Sequence, residues 1–243
     1  MKKVFLFLFI GGIVMSLGCL NKESNIYDVT RLTSEIKIDA RWDKSPWSEV
    51  QALPISRYMG DKPAHIPHVQ AKVLWDKEAI YVIFRVEDNY VRAVTTRYQG
   101  PVYRDSCVEF FFTPGTDISF GYFNLEVNCG GTALFNFQKK PREDVVSIPE
   151  EDFQKIVIAH TMPKKVEPEI ESPVVWAVEY RIPYKILKEY TDVTPPSPGV
   201  EWRANFYKCA DLTSHPHWLT WSPVNFPRPN FHLPEFFGTL VFK

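Results

Sequence analysis

The chain has 243 residues, and its 28 lysines and arginines against 29 aspartates and glutamates leave a formal net charge of −1. A near-neutral chain without a basic stripe argues against nucleic acid as a partner. The length suits one β-rich domain with a substantial buried core.

The chain opens on the basic pair Lys2-Lys3, followed by the apolar run "VFLFLFIGGIVMSLG". That run is too short and too broken by glycine for a comfortable transmembrane helix. It ends in Ser16-Leu17-Gly18-Cys19, which resembles the lipobox of bacterial lipoproteins, although Ser16 stands where that pattern prefers leucine. The resemblance implies a signal peptide over residues 1–18 and a lipidated Cys19, with a plain secretory signal as the alternative. Removing residues 1–18 leaves 225 residues and, with Lys2 and Lys3 gone, a formal charge of −3. Residues 19–30, polar as "LNKESNIYDVT" after the cysteine, read as a tether to a domain spanning 31–243. A lipid-anchored position in the cell envelope follows, facing either the periplasm or the surface.

From there the chain reads as strand after strand. "VQAKVLWDKEAIYVIFRVED" is two β-rich runs around Asp76-Lys77-Glu78, a hairpin signal. "SCVEFFFTP", "GYFNLEVN", "TALFNFQ", "QKIVIAHT", "VVWAVEYRIP" and "VEWRANFYKCA" continue the series, and "GTLVFK" closes it. Only Tyr184–Tyr190, "YKILKEY", looks helical. The expected fold is all-β, an antiparallel β-sandwich of jelly-roll or immunoglobulin-like layers with one short helix.

Side chains alternate between the two faces of a strand. Val174, Trp176, Val178, Tyr180 and Ile182 therefore share a face opposite Glu179 and Arg181. Val200, Trp202, Ala204 and Phe206 oppose Glu201, Arg203, Asn205 and Tyr207. Phe123, Leu125, Val127 and Cys129 oppose Tyr122, Asn124, Glu126 and Asn128. Each polar face either meets water or binds something. Asparagine fits the pleat poorly, so three of them at strand positions hint at a choice made by more than propensity. Amides, carboxylates and a guanidinium offer the mixed donors and acceptors that sugar hydroxyls need.

The remaining chemistry is thin. Besides Cys19, the cysteines are Cys107, Cys129 and Cys209, without a CxxC pair or a zinc spacing, and read as small buried residues with at most one disulfide. "HIPH" and "HPHW" hold paired histidines off any helix and read as loop or packing residues. A glycosidase needs two carboxylates about 5–10 Å apart. Asp105 and Glu109 share a strand face but would lie roughly 13 Å apart if extended. Glu126 and Glu179 are a further pair whose separation depends on strand order. No nucleophile, zincin or phosphate-loop motif is present, and the expected function is non-catalytic. The tail "WSPVNFPRPNFHLPEFF" crowds aromatics among prolines that cannot sit inside a helix or a central strand. It is expected as a rigid loop that either plugs a core or holds flat rings against something flat.

Four motifs in this order resemble family 9 carbohydrate-binding modules: "PVYRDSCVEFFFTP", "WAVEYRIPYKIL", "GVEWRANFYKC" and "WSPVNFPRPNFHLPEFFGTLVFK". The similarity runs from about Ile36 to Lys243 and is strongest to free-standing bacterial lipoproteins of that group. It implies a β-sandwich that clamps a terminal sugar between two aromatic rings and supports glycan breakdown beside hydrolases or transporters. Tyr103 stands where the family's first clamp residue is a tryptophan, and Glu109 matches its polar sugar ligand. Trp221 is the expected second clamp ring, with Trp218 and Phe231 behind it. Arg203 and Asn205 are expected rim ligands, joined by Asn124 and Glu126 on the polar face. Trp42, Trp47, Trp75, Trp176 and Trp202 read as core. The resemblance also implies structural calcium, with Asp39, Asp43 and Asp88 as unassigned oxygen donors near strand ends. Related sandwiches that carry b-type haem supply the alternative, with Met59, Met162 and the histidines as axial candidates.

Overall fold

The computed structural model describes residues 25–243, so the signal peptide expected over 1–18 and Cys19 lie outside the described residues. In chain order the strands begin with β1 (Ile26–Arg31), β2 (Leu53–Pro54), β3 (Arg57–Tyr58), β4 (His68–Trp75) and β5 (Ala79–Ala93). Next come β6 (Cys107–Thr113), β7 (Tyr122–Asn128), β8 (Ala133–Lys140), β9 (Glu143–Ser147) and β10 (Val157–His160). The series closes with β11 (Val166–Pro183), β12 (Glu201–Cys209), β13 (Trp218–Thr220) and β14 (Gly238–Phe242). Two single-turn helices interrupt them, α1 (Glu150–Phe153) and α2 (Tyr184–Leu187). The second is the helix expected at Tyr184–Tyr190, and the first was not foreseen.

The strands form a β-sandwich. One layer runs β10-β11-β5-β4, and the other runs β14-β12-β6-β7-β8-β9. Within each layer the neighbours pair antiparallel. β1 joins the layers and pairs in parallel with both. Its Ile26–Val29 half lies along Thr239–Phe242 of β14, and Thr30-Arg31 lies along Leu74-Trp75 of β4. The sheet is therefore mixed, and the tether expected over 19–30 is corrected from Ile26 onward. Polar "IYDVT" becomes a strand because it fills the gap between two sheet edges, where ladder bonds and the burial of Tyr27 and Val29 outweigh its composition.

The turn between β4 and β5 forms as its sequence suggests. Asp76 Oδ1 accepts from the Glu78 and Ala79 amides at 2.8 Å, an Asx turn that sets the hairpin register. The inner faces then follow the period-two reading. Phe110 stacks on Phe112 at 4.5 Å and on its ladder partner Phe206 at 4.8 Å. Phe112 stacks on Trp202 at 5.9 Å, and Phe206 meets Phe84 of the facing layer at 6.0 Å. Trp176, Val178, Tyr180 and Ile182 complete that layer's inner face.

The outer faces are covered as well, in two different ways. Over β4, β5 and β11 lies the segment that includes Leu32, Trp47 and Val50. It is pinned by the buried carboxylate of Glu179, which accepts from Trp47 Nε1, Lys44 Nζ and the Asp39 and Ala40 amides. Over β6, β7 and β12 lies the proline-rich tail. There Phe231 and Phe237 join Met59, Val102, Phe111, Tyr122 and Tyr207 in a second, smaller core. The tail both plugs a core and leaves part of this face open.

Removing one ring of the inter-layer stack should cost far more than removing an exposed tail ring. Phe206→Ala is expected to lower the unfolding free energy by about 3–5 kcal/mol, and Phe226→Ala to change it by less than about 0.5 kcal/mol, both read by urea denaturation.

Candidate functional site

The open part of that outer face is a cavity of about 490 Å³. Its floor is the polar alternation of three neighbouring strands. Glu109 of β6 stands directly opposite Glu126 of β7, and Asn124 of β7 opposite Asn136 of β8. Gln138 lies two residues further along β8, on the same face. Each is held outward because its sequence neighbours, among them Phe110, Phe123, Leu125, Phe135 and Phe137, are committed to the inner core.

A hydrogen-bonded chain orders this floor. Gln138 Nε2 donates to Asn124 Oδ1 at 2.9 Å, and Asn124 Nδ2 donates to Glu126 Oε1 at 3.0 Å. The Tyr122 hydroxyl donates to Gln138 Oε1 at 3.0 Å and lies 2.8 Å from His232 Nδ1. Two acceptors are left over: Glu126 Oε2 and Asn136 Oδ1 are buried and have no hydrogen-bond partner among the described residues. Both belong to residues that line the cavity. An orphaned buried polar atom costs about 1–3 kcal/mol, so both oxygens favour a ligand that brings hydrogen-bonding partners.

Charge in the floor is suppressed. Burial pushes the Glu126 carboxyl from 4.5 up to about 7. Burial, reinforced by Cys209 and Glu126, raises Glu109 well above its ordinary value. Two opposed carboxyls in a low-dielectric floor resist ionising together, so they can donate as well as accept. Burial, with Arg142 behind it, lowers His232 to about 4 and keeps the imidazole neutral.

The walls carry the rings. Tyr103 sits in a 3-10 turn over Val102–Arg104 that starts at Pro101. Just after that turn the buried Asp105 carboxylate accepts from the Val94 and Thr95 amides and from Asn128 Nδ2. The Tyr103 ring is 36% exposed and the Arg104 guanidinium lies 5.9 Å over it. Trp218 opens β13, and its Nε1 donates to Asp211 Oδ1 at 2.8 Å. Phe231 comes from the tail and stacks on Tyr207 at 4.1 Å. Arg142, from the β8–β9 turn, completes the rim.

Of the residues expected from sequence, Tyr103, Glu109, Asn124, Glu126 and Trp218 meet in this cavity. Three are corrected. Trp221 is a core residue, 4% exposed, packed edge-on against Tyr27 at 6.5 Å and Phe206 at 5.7 Å. Its amide donates to the Phe206 carbonyl at 2.9 Å, so it extends the β12–β13 ladder by one residue, and alternation turns its ring inward with Leu219. Asn205 is fully buried and grips the start of the tail. Its Oδ1 accepts from the Ser222 amide at 2.8 Å and its Nδ2 donates to the Ser222 carbonyl at 3.1 Å. Arg203 donates to the Phe237 carbonyl, so it also holds the tail and lies outside the lining.

Asn136, Gln138, Arg142, Asp211 and His232 were missed. The first two had a signal, since in "ALFNFQ" they alternate with Phe135 and Phe137 as Asn124 and Glu126 do with theirs. The other three sit in turns and loops, where no periodicity points.

Two of the aspartates and one of the methionines named for an implied cofactor are already engaged. Asp39 pairs with Arg41 and Lys44, and Asp88 contacts His65 at 2.8 Å with Lys208 3.8 Å away. Cationic side chains in those places do not suit a calcium ion. A haem needs an apolar slot, whereas Met59 is packed beneath the tail and the open floor is carboxyl and amide. The cysteines Cys107, Cys129 and Cys209 are buried free thiols.

The model of carbohydrate-binding family 9 matches residues 33–242. A protein of Bacteroides uniformis proposed to bind carbohydrate is 26% identical, with a TM-score of 0.81 over 91% of this chain and 100% of its own. Two structures of a family 9 carbohydrate-binding module from Caldicellulosiruptor kristjanssonii were determined with glucose and with cellotriose. They share 17% and 16% identity at TM-scores of 0.62 and 0.63, over 90% of this chain and 96% and 94% of theirs. At that identity the likeness carries the fold. No curated protein matches the chain.

The buried Glu126 makes the floor pH-sensitive. Its folded-state value lies above the 4.5 of the unfolded chain, so the stabilisation is complete below about pH 4.5 and is lost as pH rises to about 7. Relative to Glu126→Gln, the wild type should lose about 1.4 kcal/mol per pH unit across that window, read by urea denaturation at a series of pH values.

Proposed function

Because the chain belongs to carbohydrate-binding family 9, a family of non-catalytic modules, we propose that its cavity takes the terminal residue of an oligo- or polysaccharide. The Tyr103 and Trp218 rings clamp the sugar, with Trp218 in the role expected of Trp221. The observation that carries this reading is the pair of orphaned floor oxygens, Glu126 Oε2 and Asn136 Oδ1, beneath aromatic walls. A pyranose is one of few small ligands with an apolar C–H face for a ring and a rim of hydroxyl donors for such acceptors. The cavity of about 490 Å³ falls within the roughly 300–1,000 Å³ of small-ligand sites. Two opposed carboxyls, kept neutral by burial, are suited to hydrogen bonding with a neutral sugar.

In this reading Cys19 carries the acyl anchor, and the domain gathers glycan at the cell envelope for hydrolases or transporters. Binding without cleavage fits a site whose two carboxyls stand side by side on one sheet face rather than on either side of an open bond.

A glycan array of the soluble domain tests the proposal, with glucose and cellotriose as first probes. Tyr103→Ala and Trp218→Ala should each weaken binding by about tenfold, the equivalent of ~1.4 kcal/mol. A blank array, or full binding by both variants, would sink it.

A further inference from the structure

Cys107 and Cys209 are direct partners across the β6–β12 ladder. Glu109 stands two residues along β6 on the same face. One ligand atom from each of the three, two sulfurs and a carboxylate oxygen, all lie within 4.8 Å of one another. Cys209 Sγ is 3.0 Å from Glu109 Oε1 and 3.4 Å from the Tyr103 carbonyl oxygen. Glu109 and Cys209 line the cavity, and Cys107 does not.

Sulfur is out of place in a sugar-binding floor, because a thiol is a weak donor and a weak acceptor. What two sulfurs and a carboxylate do well is hold a metal ion. Hard cations such as calcium take oxygen-only sets, whereas thiolates select borderline and soft ions. Tetrahedral zinc, with bonds of about 2.3 Å to sulfur and about 2.0–2.2 Å to oxygen, needs donors about 3.5–3.8 Å apart. The present separations, from 3.0 Å between Cys209 Sγ and Glu109 Oε1 up to no more than 4.8 Å, bracket that spacing.

We infer that Cys107, Glu109 and Cys209 form a binding site for a thiophilic divalent cation, zinc first among them, whose fourth position opens into the cavity. Three protein ligands and one open position is a coordination pattern zinc accepts. Binding displaces the two thiol protons and the carboxyl proton to solvent, and the cation stabilises the anions so formed. Three anionic ligands around a doubly charged ion leave one negative charge on the site. The inference rests on the ladder geometry, and it shares Glu109 and the cavity with the sugar reading.

The test uses the purified chain, freshly reduced and stripped with chelator, and Co²⁺ as a spectroscopic probe. One equivalent should bind with sulfur-to-cobalt charge-transfer absorption in the near ultraviolet and tetrahedral bands in the visible. Zinc should displace the cobalt and raise the melting temperature. Cys107→Ser and Cys209→Ser should each weaken binding by more than about tenfold, while Cys129→Ser leaves it unchanged. Should either serine variant fail to fold, Glu109→Gln, which keeps both sulfurs, should retain the charge-transfer band at lower affinity. A silent cobalt spectrum in fully reduced protein, or a band that survives Cys209→Ser unaltered, overturns the site. So does a Cys107–Cys209 disulfide that persists under reductant.

Discussion

The aromatic packing between the two layers is the constraint from which the cavity follows. Phe110, Phe112, Phe123, Trp202 and Phe206 all face inward on one sheet and lock against Phe84 and its neighbours on the other. Strand geometry then leaves their sequence neighbours one place to go. Glu109, Asn124, Glu126 and Cys209 stand on the outer face because the residues beside them cannot leave the core. A one-residue slip in any of these strands would bury the carboxyls between the layers and expose the phenylalanines, so the register of the core also fixes the chemistry of the floor.

A sheet face cannot remain half apolar and uncovered, and the tail resolves this. A proline-rich segment suits the task because each proline brings no amide that would need a partner beneath a cover. The tail attaches through Asn205, which holds both backbone groups of Ser222, and through Arg203 at Phe237. Between those ends Phe231 and Phe237 complete the smaller core. Where this cover stops, the floor lies open, and the edge of the cover forms a wall of the cavity. Cover and wall are one piece of chain.

Apart from the three-residue β13, the strands from β4 onward were legible wherever one face is buried, because alternation against a core leaves a strong period. β1 and β9 were not. Each is polar, and its strand character comes from the edge it pairs with, which no local pattern records. The polar faces were read as a single kind of surface, yet they serve three purposes. Glu179 staples a covering segment, Asn205 staples the tail, and Asn124 with Glu126 floors the cavity. Asparagine on a strand did signal a specific partner in each case, but the sequence cannot say whether that partner is the chain itself or a ligand. Trp218 and Trp221 part by alternation. Three positions apart on one short ladder, the first faces the cavity and the second joins Leu219 in the core, and a strand of three residues leaves no period to read in the sequence.

The strand β1 has a bearing on where the domain can work. Because β1 begins at Ile26, Cys19 lies only seven positions upstream of it in the sequence. Seven residues span at most about 25 Å. Under the acyl anchor proposed at Cys19, the domain would be held close against the lipid headgroups, within reach of glycans that lie along the envelope.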